Sequence, residues 1–211
     1  MNDTAGLAPA KFFEPDRILR TLDDHGVRYV LVGGIAATLR GSPSMTYDID
    51  VAPELSSANL ERLTAALEAL GAVRYTEPDE DIAPPRADEM TARVEQFASP
   101  IGYIDVLREL RAIGGYDRLI GAADLIEVAG TAVYVAALDD IIASKEAAGR
   151  PKDLSQLPAL YALRDELRAA EGLSPSNRCH CPLRCGPGCG SAGSRTADAT
   201  RGSDPGSSSA A

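Results

Sequence analysis

A chain of 211 residues with 45% hydrophobic content is long enough to bury one globular core, with length to spare. Its formal net charge is −10, and the segment after Gly172 holds four Arg against two Asp, so the body before it is more acidic still. That balance argues against a general duplex-DNA binder, whose affinity comes mainly from neutralised phosphates. The opening MNDTAGLAPAKFF has neither a basic start nor an apolar centre, and no apolar run reaches membrane-spanning length; the expectation is a cytoplasmic chain with no membrane partner.

In chain order, Pro15 followed by Ile18, Leu19 and Leu22 and closed by Gly26 predicts a short amphipathic helix with a proline start and a glycine stop. His25 falls at its C-terminus, where imidazolium interacts favourably with the dipole, and reads as structural. A strand over 27–32 ends at Gly33-Gly34, and small helix formers from Ile35 to Leu39 lead to a turn at Gly41-Ser42-Pro43. A strand over 47–52 follows. Ser56 or Ser57 caps a helix carrying Leu60, Leu63, Leu67 and Leu70 on one stripe, and Gly71 ends it. A short strand near 72–76 and a polar, proline-bearing loop over 77–91 come next. Strands near 92–98 and 101–108, joined at Ser99-Pro100, form a hairpin, and a second strand pair turns at Ala129-Gly130. Helical pattern runs from Leu138 to about Ala170, broken between Gly149 and Pro151. The sum is an α/β mixed sheet flanked by helices, with a helical C-terminal part.

Three acids stand out. Asp48 and Asp50 lie two apart in an otherwise apolar strand, so both point to one face while Tyr47, Ile49 and Val51 point to the other. Aspartate is a poor strand former, and like charges side by side raise each other's pKa unless a cation separates them. Asp105 repeats the oddity between Ile104 and Val106, and a third carboxylate is what a two-Mg²⁺ site would need. Lys145 follows Ile141 and Ile142 by four and three positions, on the apolar side of a helix capped near Asp139, where surface lysines are unusual unless they snorkel. Asp153 either caps the turn beginning at Leu154 or belongs to the site.

The Gly33-Gly34 turn, Thr46, Asp48-Ile49-Asp50, Tyr103-Ile104-Asp105-Val106, Ser144-Lys145 and Arg150-Pro151-Lys152-Asp153 together resemble the nucleotidyltransferase superfamily of the polymerase-beta type. Within it the likeness is to the small AbiEii-like enzymes of toxin–antitoxin modules, over roughly Ile18 to Leu167. The resemblance implies a Mg²⁺-dependent enzyme that moves a nucleoside monophosphate from an NTP to an acceptor hydroxyl. Asp48, Asp50 and Asp105 would hold metal, and Gly33, Gly34 and Thr46 would face phosphate. Lys145 would meet the triphosphate, with Arg150, Lys152 and Asp153 beside it. Two positions depart from the pattern: serine is common where Gly34 stands, and arginine where Ser44 stands, leaving Arg40 to compensate. The acceptor is the 3′ end of tRNA if the chain is a toxin, or a tyrosine of a cognate toxin if it is an antitoxin. An antibiotic nucleotidyltransferase is a third enzyme that the resemblance allows, and a non-catalytic module binding nucleotide or partner is the rival from another class.

The expected domain division is a nucleotidyltransferase domain over 1–172 and a disordered tail over 173–211, rich in Ser, Gly, Pro and Ala without periodicity. All four cysteines, Cys179, Cys181, Cys185 and Cys189, lie in that tail beside His180. Their spacing is not one of the common paired zinc frameworks, and a plain disordered extension is the expected reading.

Overall fold

The computed structural model describes residues 13–74 and 83–170. The cysteine-bearing segment and the second half of the strand expected over 72–76 lie outside the described residues.

Helix α1 (Pro15–Asp24) buries Ile18, Leu19 and Leu22 completely, as the proline-led stripe requires. Strand β1 (Tyr29–Val32) is buried throughout, and helix α2 (Gly33–Leu39) starts at the next residue with no connecting loop, Val32 serving as its N-cap. Strand β2 (Asp48–Pro53) follows, then helix α3 (Ser57–Ala69), whose N-cap Ser56 accepts the Asn59 N–H. Strand β3 is seen over Val73–Arg74, where the described residues stop. A 3-10 turn at Ala87–Glu89 lies inside the segment read as loop, and helix α4 (Tyr116–Ile120) fills the interval after the hairpin; neither has enough apolar period to announce itself in sequence. The hairpins are β4 (Val94–Ser99) with β5 (Gly102–Leu107), and β6 (Asp124–Val128) with β7 (Thr131–Val135). Helix α5 (Leu138–Ala148) ends in Gly149, whose φ of 64° is the left-handed C-terminal stop, and α6 (Pro151–Ala170) begins at the next proline. The N-cap of α5 is Ala137, without a side-chain cap; Asp139, expected to cap it, instead accepts from Arg168 at 2.8 Å.

The seven strands form one mixed sheet in the order β3-β4-β5-β2-β1-β7-β6. β2 runs parallel to β5 and antiparallel to β1, while β1 and β7 are parallel. One face of the central strands is closed: Ile49, Val51, Phe97, Ile104 and Val106 join the leucines of α1 and α3 in a single core. On the opposite face the same strands present Asp48, Asp50, Tyr103, Asp105 and Leu107, half-buried rather than covered. The two-residue period of the strands therefore separates core from site. Among the described residues, no helix is long and apolar enough to cross a membrane.

Candidate active site

The register sets a row of side chains across the sheet. Val32 of β1 pairs with Asp50, Asp50 with Asp105 in the parallel neighbour, and Asp105 with Gln96 of β4. Asp48 lies one pleat along from Asp50 on the same face. Asp48, Asp50 and Asp105 each offer a carboxylate oxygen within 4.8 Å of the others. They line a cleft of about 610 Å³ whose wall also includes Gly33, Gly34, Thr46, Lys145, Arg150, Lys152 and Asp153.

Each acid of the cluster has one hydrogen-bond donor of its own. The Thr46 hydroxyl donates to Asp48 Oδ1, the Gly34 N–H donates to Asp50 Oδ2 at 3.3 Å, and Gln96 Nε2 donates to both Asp105 oxygens at 3.2 and 3.1 Å. These single donors do not offset three carboxylates gathered in one place. Burial, then the neighbouring Asp48 and Asp105 charges, push Asp50 up to about 7. Burial also raises Asp105, against the hydrogen bond from Gln96. A cluster of hard oxygen donors whose shared charge goes uncompensated fits a divalent cation bound by carboxylates.

The glycines before α2 are dictated by what stands over them. Gly33 has φ +64°, and a Cβ there would overlap the Asp50 carboxylate. At Gly34 a Cβ would lie 2.7 Å from both Cβ and Oγ1 of Thr46. A serine at this position has no room, and the hydroxyl that fills the space belongs to Thr46. The Gly34 amide, expected to face phosphate, is directed at Asp50 here.

The opposite wall is cationic and comes from the α5–α6 turn. Lys145 is 8% exposed, so its inward placement is real; its Nζ donates to Gln156 Oε1 at 2.7 Å and stands 3.6 Å from Asp153 Oδ1. Arg150 Nε donates to Asp153 Oδ2 at 2.6 Å. Asp153 is buried in the first turn of α6, and it caps nothing, since it lies inside the helix. Burial alone would raise its pKa; the Arg150 hydrogen bond and the two cations outweigh that and hold it below the usual carboxylate range. The Lys152 side chain reaches the cleft without an ion pair within 4.0 Å among the described residues, and its charge acts on Asp105.

Arg40 departs from expectation. Its Nε and Nη2 donate to the carbonyl oxygens of Ala136 and Val135 at 3.0 and 2.8 Å, and Nη1 pairs with Asp124. It ties α2 to the β6–β7 hairpin and does not line the cleft. At the end of α2 the guanidinium meets two carbonyls at the end of β7 and the Asp124 carboxylate, and these three partners outcompete a cleft it would have to turn back to reach. Gln96 and Gln156, which the sequence reading did not single out, are at the centre of the arrangement instead.

No protein-family model matches the sequence, and a search of curated proteins finds no match. Solved structures do match. The lincosamide antibiotic adenylyltransferase LnuA, in its lincomycin-bound crystal structure, superposes with a TM-score of 0.51 at 12% identity, over 71% of this chain and 95% of that one. The fold is that of a nucleotidyltransferase. ANT(2″)-Ia in complex with adenylyl-2″-tobramycin gives 0.47 at 18% identity, over 74% of this chain and 96% of that one. The Thermotoga maritima protein TM1012 gives 0.41 at 16% identity, over 75% and 96%. On the nucleotidyltransferase fold of this chain, the acid row sits at the centre of the sheet and the α5–α6 turn supplies the basic wall facing it.

Proposed function

We propose that the chain is a Mg²⁺-dependent nucleotidyltransferase of the small AbiEii-like kind, acting as a toxin–antitoxin component that adds a nucleoside monophosphate to the 3′ end of tRNA. The observation that carries the reaction class is the convergence of Asp48, Asp50 and Asp105 within 4.8 Å at the floor of a cleft whose other wall holds Lys145, Arg150 and Lys152. The acceptor and the biological setting rest on the sequence resemblance.

Asp48, Asp50 and Asp105 would hold the metal, which when bound lowers the pKa of an attacking hydroxyl and screens triphosphate oxygens. Lys145 and Arg150 meet phosphate oxygens with charge-assisted hydrogen bonds, exchanging part of their hold on Asp153. The acceptor oxygen forms its bond to the α-phosphorus as the bond from that phosphorus to the β-phosphate oxygen breaks. Pyrophosphate leaves with that electron pair, and Asp105 takes the proton of the acceptor hydroxyl. The half-open sheet face leaves room for an acceptor beside Asp105, where Tyr103 and Leu107 offer an apolar wall.

Incubation of the purified chain with each α-³²P-labelled NTP, MgCl₂ and total tRNA tests this. Label in full-length tRNA, absent with EDTA, is the expected result. Label in a co-purified protein instead of RNA would move the acceptor to a tyrosine of a partner toxin. No labelled product with any NTP or acceptor would leave a nucleotide-binding module without transfer.

A further inference from the structure

Gln96 carries a second instruction for the reaction. It sits on β4 directly opposite Asp105, its side chain exposed to the cleft, and its one amide nitrogen straddles both oxygens of that carboxylate. A carboxylate only accepts, so the amide must present its NH₂ end there. The planar amide then turns Oε1 away from Asp105, and that oxygen has no hydrogen-bond partner among the described residues. A free, oriented acceptor is thereby fixed next to the third carboxylate.

The sheet order says which substrate meets it. Lys145 comes from α5, which packs against α2, the helix that follows β1; its charge is felt by Asp50. Lys145 therefore sets a triphosphate contact at the β1 end of the row, while Arg150 and Lys152 act on Asp105 from the α5–α6 turn. Gln96 is at the other end of that row, beyond Asp105, on the side left for the acceptor. There Tyr103 and Leu107 flank Asp105 on the same face of β5, offering an aromatic and an aliphatic surface to a base or sugar.

We propose that Gln96 is an acceptor-specificity residue: its amide nitrogen orients Asp105, while its carbonyl oxygen accepts a hydrogen bond from a donor flanking the reacting hydroxyl, namely the 2′-hydroxyl of a 3′-terminal ribose. The acceptor class is thus the cis-diol at an RNA end, a chemistry that 2′-deoxyribose lacks. This rests on the nucleotidyl-transfer reading above and sharpens its acceptor. Removing a hydroxyl that a site is built to hydrogen-bond leaves the site's own polar atom unpaired, which makes such contacts discriminating.

The test measures kcat/KM for two otherwise identical tRNAs, one ending in adenosine and one in 2′-deoxyadenosine, with wild type, Gln96→Met and Gln96→Glu. Wild type should favour the ribose end by about tenfold, the size of one well-placed hydrogen bond. Gln96→Met keeps the bulk and loses both polar ends, so its ratio should fall close to one. Gln96→Glu keeps an oxygen for the acceptor but repels Asp105; both rates should drop while the ribose preference survives. A wild-type ratio near one, or an undiminished ratio in Gln96→Met, overturns the assignment while leaving nucleotidyl transfer intact. No transfer by wild type to either tRNA overturns the tRNA acceptor itself, and this assignment with it.

Discussion

Asp50, half-buried, and Asp153, buried, line one cleft, yet their environments drive them in opposite directions. Asp153 sits between Arg150 and Lys145 and is held below the usual range; Asp50 faces two other acids and is pushed up to about 7. Burial raises both, so burial is not what separates them. The difference lies in the partners: Asp153 has its counter-ions built into the turn that carries it, whereas the cluster around Asp50 receives one donor per carboxylate and little positive charge. A carboxylate that folding has already satisfied holds a wall together. One that folding leaves in want of a cation marks the place where a cation from outside belongs.

The largest effect that follows is catalytic. Asp50→Asn should remove most nucleotidyl transfer, by about a thousandfold or more, since it takes the central ligand from the row. Its apo form should behave in the opposite sense. Because the folded-state pKa of Asp50 is raised, its stabilising contribution is complete below about pH 4, the unfolded-chain value, and is lost as pH rises through about 7. Metal-free wild type should therefore melt lower at pH 8 than at pH 5.5 from this group, Mg²⁺ should recover the difference, and Asp50→Asn should flatten the slope. Thermal melts with EDTA and with MgCl₂ at both pH values check this. A wild-type melting temperature that ignores both pH and Mg²⁺ would break the contrast.

Asp153→Ala should act on stability first. It leaves the nearly buried Lys145 hydrogen-bonded to Gln156 without the carboxylate beside it and costs about 3 kcal/mol, as breaking a buried pair does. The pH sign is reversed: a depressed acid stabilises above the unfolded pKa and loses that contribution as pH falls. Wild type and variant should therefore converge on acidification, read by urea denaturation at pH 7 and pH 3.5.

The smallest effect sharpens the contrast from outside the cleft. Arg40→Met breaks a guanidinium spread over two carbonyls and Asp124, costing about 1–3 kcal/mol, while KM for NTP stays within about twofold of wild type. A large rise in KM without loss of stability would return Arg40 to the triphosphate.

Much of this was legible before the fold. The alternation of acids with Ile49 and Val51 placed Asp48 and Asp50 on one face because strand geometry leaves no other choice. The spacing of Lys145 from Ile141 and Ile142 placed it inward for the matching reason in a helix. Gln96 was not legible, because its role depends on hairpin register. A turn centred on Ser99-Pro100 pairs Asp105 with Val94, whereas the observed pairing of Ser99 with Gly102 slides the strands by two residues and brings Gln96 opposite. Both registers keep the same faces inward, so hydrophobic pattern cannot choose between them. Arg40 misled for a related reason: its helix was correctly read, but which neighbour a helix C-terminus meets is a property of strand order.

The crowding over Gly33 and Gly34 bears on how such a site can change over generations. With Asp50 standing where one side chain would begin and Thr46 where the other would, neither glycine is open to single replacement. An exchange of Gly34 for serine becomes possible once Thr46 has first shrunk, and only in that order. Glycine and threonine here form one steric unit written in two places on the chain, so a library that varies them one at a time would miss the working combinations.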